Sequence, residues 1–399
     1  MKLIFVLLSM FALFGCSRDP IPAVVREELF TFQVGRLEDQ IAIYNLEGDL
    51  GIRRTNLAMR DGLFYISDGA GAKIVRYNSY GNPLFMIYNE ETNPLPMTLQ
   101  TLDEMPDGEV IARWAFTYPL QNPGKIVVDS RKHIYVEDRL PDERHSFDPE
   151  SGALLNNVVL HFDADGAFVE YLGREGIGGS PFPKIEGLYS SVRDELAVVC
   201  RLPTGWNVYW FDADGMSLYL VEIREDTLPI PPGKGKVFVS LDGIAAAPDA
   251  RKLYIKADYY RDTYDASTNT RSGNEPESSL IWVMQAEDGS YQKTIEVPFF
   301  ESPSSEGSLK TGNKMFYSLL GIIKNERIFL QFPVENGYSI LILTPETREQ
   351  QQGFIQVRND ELQFNAFSLS PEGILSALLA GAWDIKLVWW RTDKFIESF

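Results

Sequence analysis

Residues that most often carry chemistry are scarce in this sequence. Its 399 residues include two cysteines and three histidines. His133, His145 and His161 stand in no HExxH arrangement and beside no cysteine partner, so a zinc centre is not expected. No GxSxG string occurs, which removes the common nucleophile elbow of serine hydrolases. Positive charge is short as well: 37 Lys and Arg stand against 56 Asp and Glu, a net charge of −19, and no basic cluster interrupts the acidic background. Nucleic acid and anionic lipid headgroups would be repelled by such a surface. Two glycine-rich strings, "YLGREGIGGSPFP" at 171–183 and "PPGKGKVF" at 231–238, lack the following helix that would hold a phosphate; Pro181 and Pro183 forbid it in the first.

What is present begins with a segment unlike the rest. Lys2 is followed by the uncharged run "LIFVLLSMFALFG" and then Cys16, with charge resuming at Arg18. A dozen or so apolar residues fall short of the roughly 20 needed to cross a bilayer, so the run reads as an export signal. Its end, "LFGC", resembles the bacterial lipobox, which implies a lipoprotein signal peptide over 1–15, acylation of Cys16, and a tether over 16–29. An ordinary secretory peptide ending near Gly15 is the alternative. The resemblance implies a bacterial cell-envelope protein, lipid-anchored on the periplasmic or outer-membrane side, with several acyl chains supplying a stable hold. Cys200 then stands alone within apolar "ELAVVCRL" and reads as a small buried hydrophobe.

From Phe30 to Phe399, apolar and β-branched runs of five to eight residues alternate with Gly, Pro, Asn and Asp clusters, and no amphipathic helix of comparable length intervenes. The clearest unit is "NLAMRDGLFYISDGAGAKIVRYNSYGNPLFMIYN" at 56–89, four strands joined by short hairpins. Related units begin near 124, 184, 243, 317 and 364. The unit resembles the NHL repeat. That likeness implies an all-β, six-bladed propeller in a single domain over 30–399, with insertions near 95–120, 137–157 and 258–279. Seven blades are the alternative, because "IAIYNLEGD" at 41–49 looks like one further strand and turn. A ring needs closing, and "FTFQVGRLEDQ" at 30–40 parallels the outer strand "FVEYLGREG" at 168–176, so the early strand is expected to complete the last blade.

Within this frame the duplicated string "FDADG", at 162–166 and 211–215, falls each time between the third and fourth strand of a unit. Other units fill the place with Asn78-Ser79-Tyr80-Gly81 and Glu287-Asp288-Gly289. A calcium loop would need six to eight oxygens and a downstream bidentate acid, which this string lacks, so it reads as a turn. No resident cofactor is expected. Calcium stays open through Asp68, Asp138 and Asp258, which hold similar places after the second strand of their units.

Ligand-facing candidates are Arg174, Glu175 and Phe182 in one connection between blades, Trp114 in the aromatic "ARWAFTYPL", and Tyr259, Tyr260 and Arg261 in the 258–279 insertion. Adjacent Trp389 and Trp390 point to opposite sides of a strand, one into the core and one to a neighbouring blade or the surface. The expectation for function is a non-catalytic scaffold presenting loops to a protein, peptide or glycan partner. The alternative is a calcium-assisted lactonase, esterase or lyase working in the central channel.

Overall fold

A computed structural model describes residues 21–43, 54–101, 113–231, 237–301 and 314–397. Six sheets of four or more strands make up the fold, and within each the strands that follow one another in the chain form an antiparallel meander. Blade 1 is Asn56–Arg60, Leu63–Asp68, Lys73–Tyr77 and Pro83–Tyr88, with Trp114–Thr117 added parallel on its outer edge. Blade 2 is Ile126–Val128, Ile134–Arg139, Asn157–Phe162 and Phe168–Gly173; blade 3 is Lys184–Ser190, Leu196–Leu202, Gly205–Phe211 and Ser217–Ile223. Blade 4 comprises Phe238–Ala246, Lys252–Tyr264, Arg271–Gln285 and Tyr291–Val297; blade 5 comprises Ser318–Ile322, Ile328–Val334, Gly337–Thr344 and Glu349–Gln356. Blade 6 takes Phe364–Leu369, Leu375–Ala380 and Asp384–Trp390 from the C-terminal end of the chain and its outer strand, Arg26–Val34, from the N-terminal part.

The core lies between blades rather than within one. Six apolar clusters each join two neighbours: Ile74 and Phe85 of blade 1 meet Val136 and Leu160 of blade 2, and Trp210 of blade 3 meets Tyr259 and Trp282 of blade 4. The closing cluster sets Phe32, Ile385 and Leu387 of blade 6 against Phe64 and Tyr77 of blade 1. With one cluster for each adjacent pair, the ring is a six-bladed propeller. Among the described residues there is no seventh blade: Ile41 and Ile43 of the candidate string are buried in the closing cluster, and 44–53 lies outside the described residues.

Closure by the early strand is as the sequence led one to expect, and the strand begins four residues sooner, at Arg26. Trp390 is fully buried, while Trp389 lies across blade 1 at Phe64 and donates its indole N–H to Glu27. The two-residue hairpin at Asp61-Gly62 has positive φ at both positions, the conformation that lets strands of normal twist reverse directly.

In a meander the first and third turns share one end of the sheet. Here the turns at that end are all short, none longer than five residues, and the C-terminal helix Thr392–Glu397 lies at the same end. Several of these lock to their neighbours. Ser130 N donates to Asp194 at 2.8 Å, Val192 N to the Pro248 carbonyl at 2.7 Å, Asn325 N to Asp249 at 2.8 Å, and Lys324 N to the Pro371 carbonyl at 3.1 Å. The long connections leave and re-enter their blades at the other end. They include 89–125, 140–156 with its own small hairpin, 224–237, 298–317, and the tip of the extended blade 4 hairpin, where the 258–279 insertion continues as strands.

Candidate functional site

First strands of all six blades surround a cavity of about 210 Å³ on the ring axis. Leu57, Val127, Leu188, Leu320 and Phe367 supply an apolar wall, and Asn56, Lys125, Glu186, Ser190 and Ser368 add polar groups. Ligand pockets usually run to roughly 300–1,000 Å³, so this space suits a side chain or one small ring rather than a whole large ligand.

Three first strands carry the same irregularity. In blades 3, 4 and 5 the pairing skips one residue before a glycine, leaving Glu186, Asp242 and Leu320 as the extra residues ahead of Gly187, Gly243 and Gly321. Such a bulge turns the unpaired residue out of the ladder. Glu186 lines the cavity and pairs with Lys184 at 2.7 Å. Asp242 accepts from Leu319 N at 2.9 Å, linking blades 4 and 5. The signal was visible in "IEGL", "LDGI" and "LLGI", each a glycine inside an apolar strand. Sequence reasoning did not single out Glu186, Lys125 or Asp242.

Asp68, Asp138 and Asp258 do hold corresponding positions, fifth to seventh in a second strand, yet they do not converge. Asp68 accepts from Ala42 N at 2.7 Å and Gly71 N at 3.0 Å. Asp138 accepts from Asn122 N at 2.8 Å, Gln121 N at 3.1 Å and Arg139 N at 2.9 Å. Each of these two therefore pins the connection entering its own blade. Asp258 neutralises fully buried Lys256, at 2.8 and 2.9 Å, and accepts from Ser279 Oγ at 2.6 Å. Burial pushes all three carboxyls up, Asp138 to about 6. Among the described residues no group of three or more His, Cys, Asp or Glu is placed to hold a metal ion.

The "FDADG" strings are turns. Asp163 accepts from Asp165 N and Ala167 N at 3.0 and 2.9 Å, and Asp212 from Asp214 N and Met216 N at 3.0 and 2.8 Å. Asn78 repeats the pattern in blade 1, at 3.0 Å to both Tyr80 N and Asn82 N, which shows that no negative charge is required.

Two ligand-facing expectations are corrected by burial. Phe182 is fully enclosed and edge-on to Tyr209 and Phe211, and Tyr259 is fully enclosed with its hydroxyl on the Pro229 carbonyl at 2.8 Å. Arg174 and Glu175 brace their own loop through Ser180, with Arg174 also on Asp148. Trp114 caps the blade 2 turn by donating to the Asp165 carbonyl at 2.5 Å. Tyr260 is half-buried against Phe316, and Arg261 is exposed and pairs with Glu275 and Glu277. Of the histidines, His133 and His161 share a 2.9 Å hydrogen bond, and His145 bonds the Leu140 carbonyl. Cys200 is buried, and its thiol is pushed well above the usual range by that burial.

Exposed apolar side chains stand at both ends: Leu95, Met97, Phe147, Ile230, Tyr264 and Trp383 at the end with long connections, and Tyr80, Val192 and Met216 on the short turns. Of those at the long-connection end, Leu95 and Met97 share one connection and the others stand singly on separate ones.

No protein-family profile matches the chain, the NHL family included, and no curated protein matches it in sequence. Similar solved structures include a gluconolactonase from Xanthomonas campestris, at 11% identity and TM-score 0.41, covering 93% of this chain and 97% of that one. An α-L-arabinofuranosidase from Fusarium graminearum has 9% identity and TM-score 0.47, with 92% and 99% covered. An α-L-arabinanase from Penicillium chrysogenum has 11% identity and TM-score 0.43, with 91% and 98% covered. Likenesses of this size assign neither a family nor an activity to the chain.

Proposed function

We propose that this chain is a lipid-anchored envelope propeller that recognises a protein, peptide or glycan partner with the end that carries its long connections. The observation behind this reading is the asymmetry of the ring. One end is a band of short turns, several tied to one another, that exposes Tyr80, Val192 and Met216; the other presents the long connections, the exposed Leu95, Met97, Phe147, Tyr264 and Trp383, and the cavity wall with Lys125 and Glu186. Apolar and aromatic side chains at loop tips around a small polar-and-apolar recess suit a partner that inserts one group and rests on the rim. A photo-crosslinking residue at Trp383 should form an adduct in intact cells, and the same residue at Tyr80, on a short turn, should not. Adducts from Tyr80 alone would overturn the reading.

The enzymatic reading, a calcium-assisted lactonase, esterase or lyase, is favoured by one observation, the Glu186 carboxylate on the wall of the axial cavity. The names of the similar structures lie on its side, at a likeness too low to add to the argument. Release of acid from a sugar lactone with calcium present, abolished in Glu186→Gln, would establish it. An unchanged rate in the variant would remove it.

A further inference from the structure

A second cavity, of about 350 Å³, opens between the 357–363 connection, which leads from blade 5 into blade 6, and the turn at 381–384 within blade 6. Both walls belong to the end with the long connections. Unlike the axial cavity, it falls within the usual size of ligand sites. The strand after the turn accounts for its polarity: Ile385 and Leu387 point into the closing cluster, so Asp384 and Lys386 share the opposite face with Val388 and Trp390, towards blade 5. A Cβ on Gly381 would come within 2.8 Å of Asp384 Oδ1, so the glycine leaves that carboxylate its room.

Arg358, Asn359, Asp360, Glu361, Asp384 and Lys386 line this space, and its only residues without a charge or an amide side chain are Gly381 and Ala382. Most ligand pockets are predominantly apolar, so this one calls for a hydrophilic occupant. Its cations are already matched. Arg358 donates through Nε to Asp360 at 2.9 Å, and Lys386 stands 3.3 Å from Glu28 and 3.5 Å from Glu361, whose two oxygens also take the Arg26 guanidinium. An anionic ligand would meet the Asp360, Glu361 and Asp384 carboxylates with no unpaired cation to offset them. Asn359 and Asp384 are left over: among the described residues neither side chain makes a hydrogen bond or an ion pair. A carboxylate that only accepts, beside an amide that both donates and accepts, matches neighbouring hydroxyls, each of which can do both. Trp383, 86% exposed, stands between Ala382 and Asp384 on the same turn and offers an amphipathic ring beside the pocket.

We infer that this pocket between blades 5 and 6 binds a neutral saccharide, with one ring seated against Asn359 and Asp384 and the rest of the glycan continuing past Trp383. The inference rests on the recognition end proposed above and names its partner as a glycan. The site is separate from the axial cavity, whose lining shares no residue with it.

The test applies the full chain to an array of short neutral oligosaccharides of glucose, galactose, mannose, arabinose and N-acetylglucosamine, with lysine- and arginine-rich peptides alongside. Calorimetry then measures the retained probes against the native chain, Asn359→Ala and Asp384→Ala, which should melt like the native chain because neither side chain is bonded within the fold. At least one saccharide should bind, and each variant should weaken it about tenfold. Asp212→Asn, on a short turn, should bind as the native chain does. No retained saccharide, or unchanged affinity in both variants, overturns the inference. Binding lost in Glu186→Gln and kept in Asp384→Ala would move the saccharide to the axial cavity, which overturns this site and leaves the recognition end standing. Retention of the basic peptides alone, dependent on Asp384, overturns the ligand class. The crosslinking comparison of Trp383 with Tyr80 tests the underlying reading separately, and adducts from Tyr80 alone would remove both.

Discussion

Arg26 and Glu361 form a two-pronged ion pair, Nη1 to Oε2 at 2.7 Å and Nη2 to Oε1 at 2.8 Å, between the closing strand and the connection that leads into blade 6. Both side chains are largely buried, and Glu361 also accepts from Arg358 N at 3.1 Å. The pair joins residues 335 apart in sequence at the seam of the ring. Losing one partner of such a pair strands a charge and costs about 3–5 kcal/mol, whereas replacing both by apolar groups of similar size is far milder. Arg26→Gln should therefore destabilise the fold more than the double change Arg26→Met with Glu361→Leu. Denaturant titrations of the two variants give the comparison.

Burial works against the Glu361 carboxylate, yet the Arg26 hydrogen bonds, the Arg358 amide and Lys386 together hold it down, at about 2. A carboxyl lowered in the folded state contributes stability above its ordinary value of 4.5, and that contribution fades as pH falls towards about 2. Glu361→Gln should lose this part of the acid dependence. Thermal melts from pH 6 to pH 2 would show a shallower decline for the variant than for the native chain.

Asp138 has the opposite sign. Burial raises it to about 6 from 3.8, against the pull of the Asn122, Gln121 and Arg139 amides. Its contribution is complete below about pH 4 and lost as pH rises through 6. Asp138→Asn should remove that fall between pH 4 and pH 7, whatever it does to absolute stability, and melting curves at half-unit steps would reveal it.

The closing strand should be worth a large share of the total. Phe32 is nearly fully buried and packs edge-on to Tyr77 at 5.0 Å. Phe32→Ala should cost about 3–5 kcal/mol, out of a typical total of roughly 5–15 kcal/mol. Removing the chain before Arg36 should lower the melting temperature much further and cause aggregation through the bared edge of Asp384–Trp390. Melting like the intact chain would contradict closure by this strand.

At the "FDADG" turns, Asp163→Asn and Asp212→Asn should change stability little, since Asn78 already performs the same bonding in blade 1. Asp163→Ala removes two acceptor bonds and should cost about 1 kcal/mol. Calorimetry with calcium should give the same trace for the native chain and the Asn variants.

The architecture was legible because its signals are local. Asp61-Gly62, the repeated turn strings and the alternation of apolar runs each act within a few residues, and the match between 30–40 and 168–176 pointed to the closing strand. The use made of polar groups was not legible. Asp68 is committed to Ala42 N and Asp138 to Gln121 and Asn122 N, partners brought close only by the ring. Position after a second strand looked like a converging ligand set and proved to be a repeated way of pinning connections. Phe182 and Tyr259 failed as surface candidates for a related reason: their strings read as loops, while the fold uses both rings to fill space between blades. Glu186 could have been found by taking the glycine in "IEGL" as a bulge.

The central claim is that recognition belongs to the end with the long connections. Hydrogen exchange of the full chain, measured with and without the partner captured at Trp383, tests it most directly. The account predicts slowed exchange in the connections 89–98, 140–156 and 265–270 and around Glu186, with the short turns at 163–167, 212–216 and 345–348 unchanged. Protection confined to those short turns would contradict it.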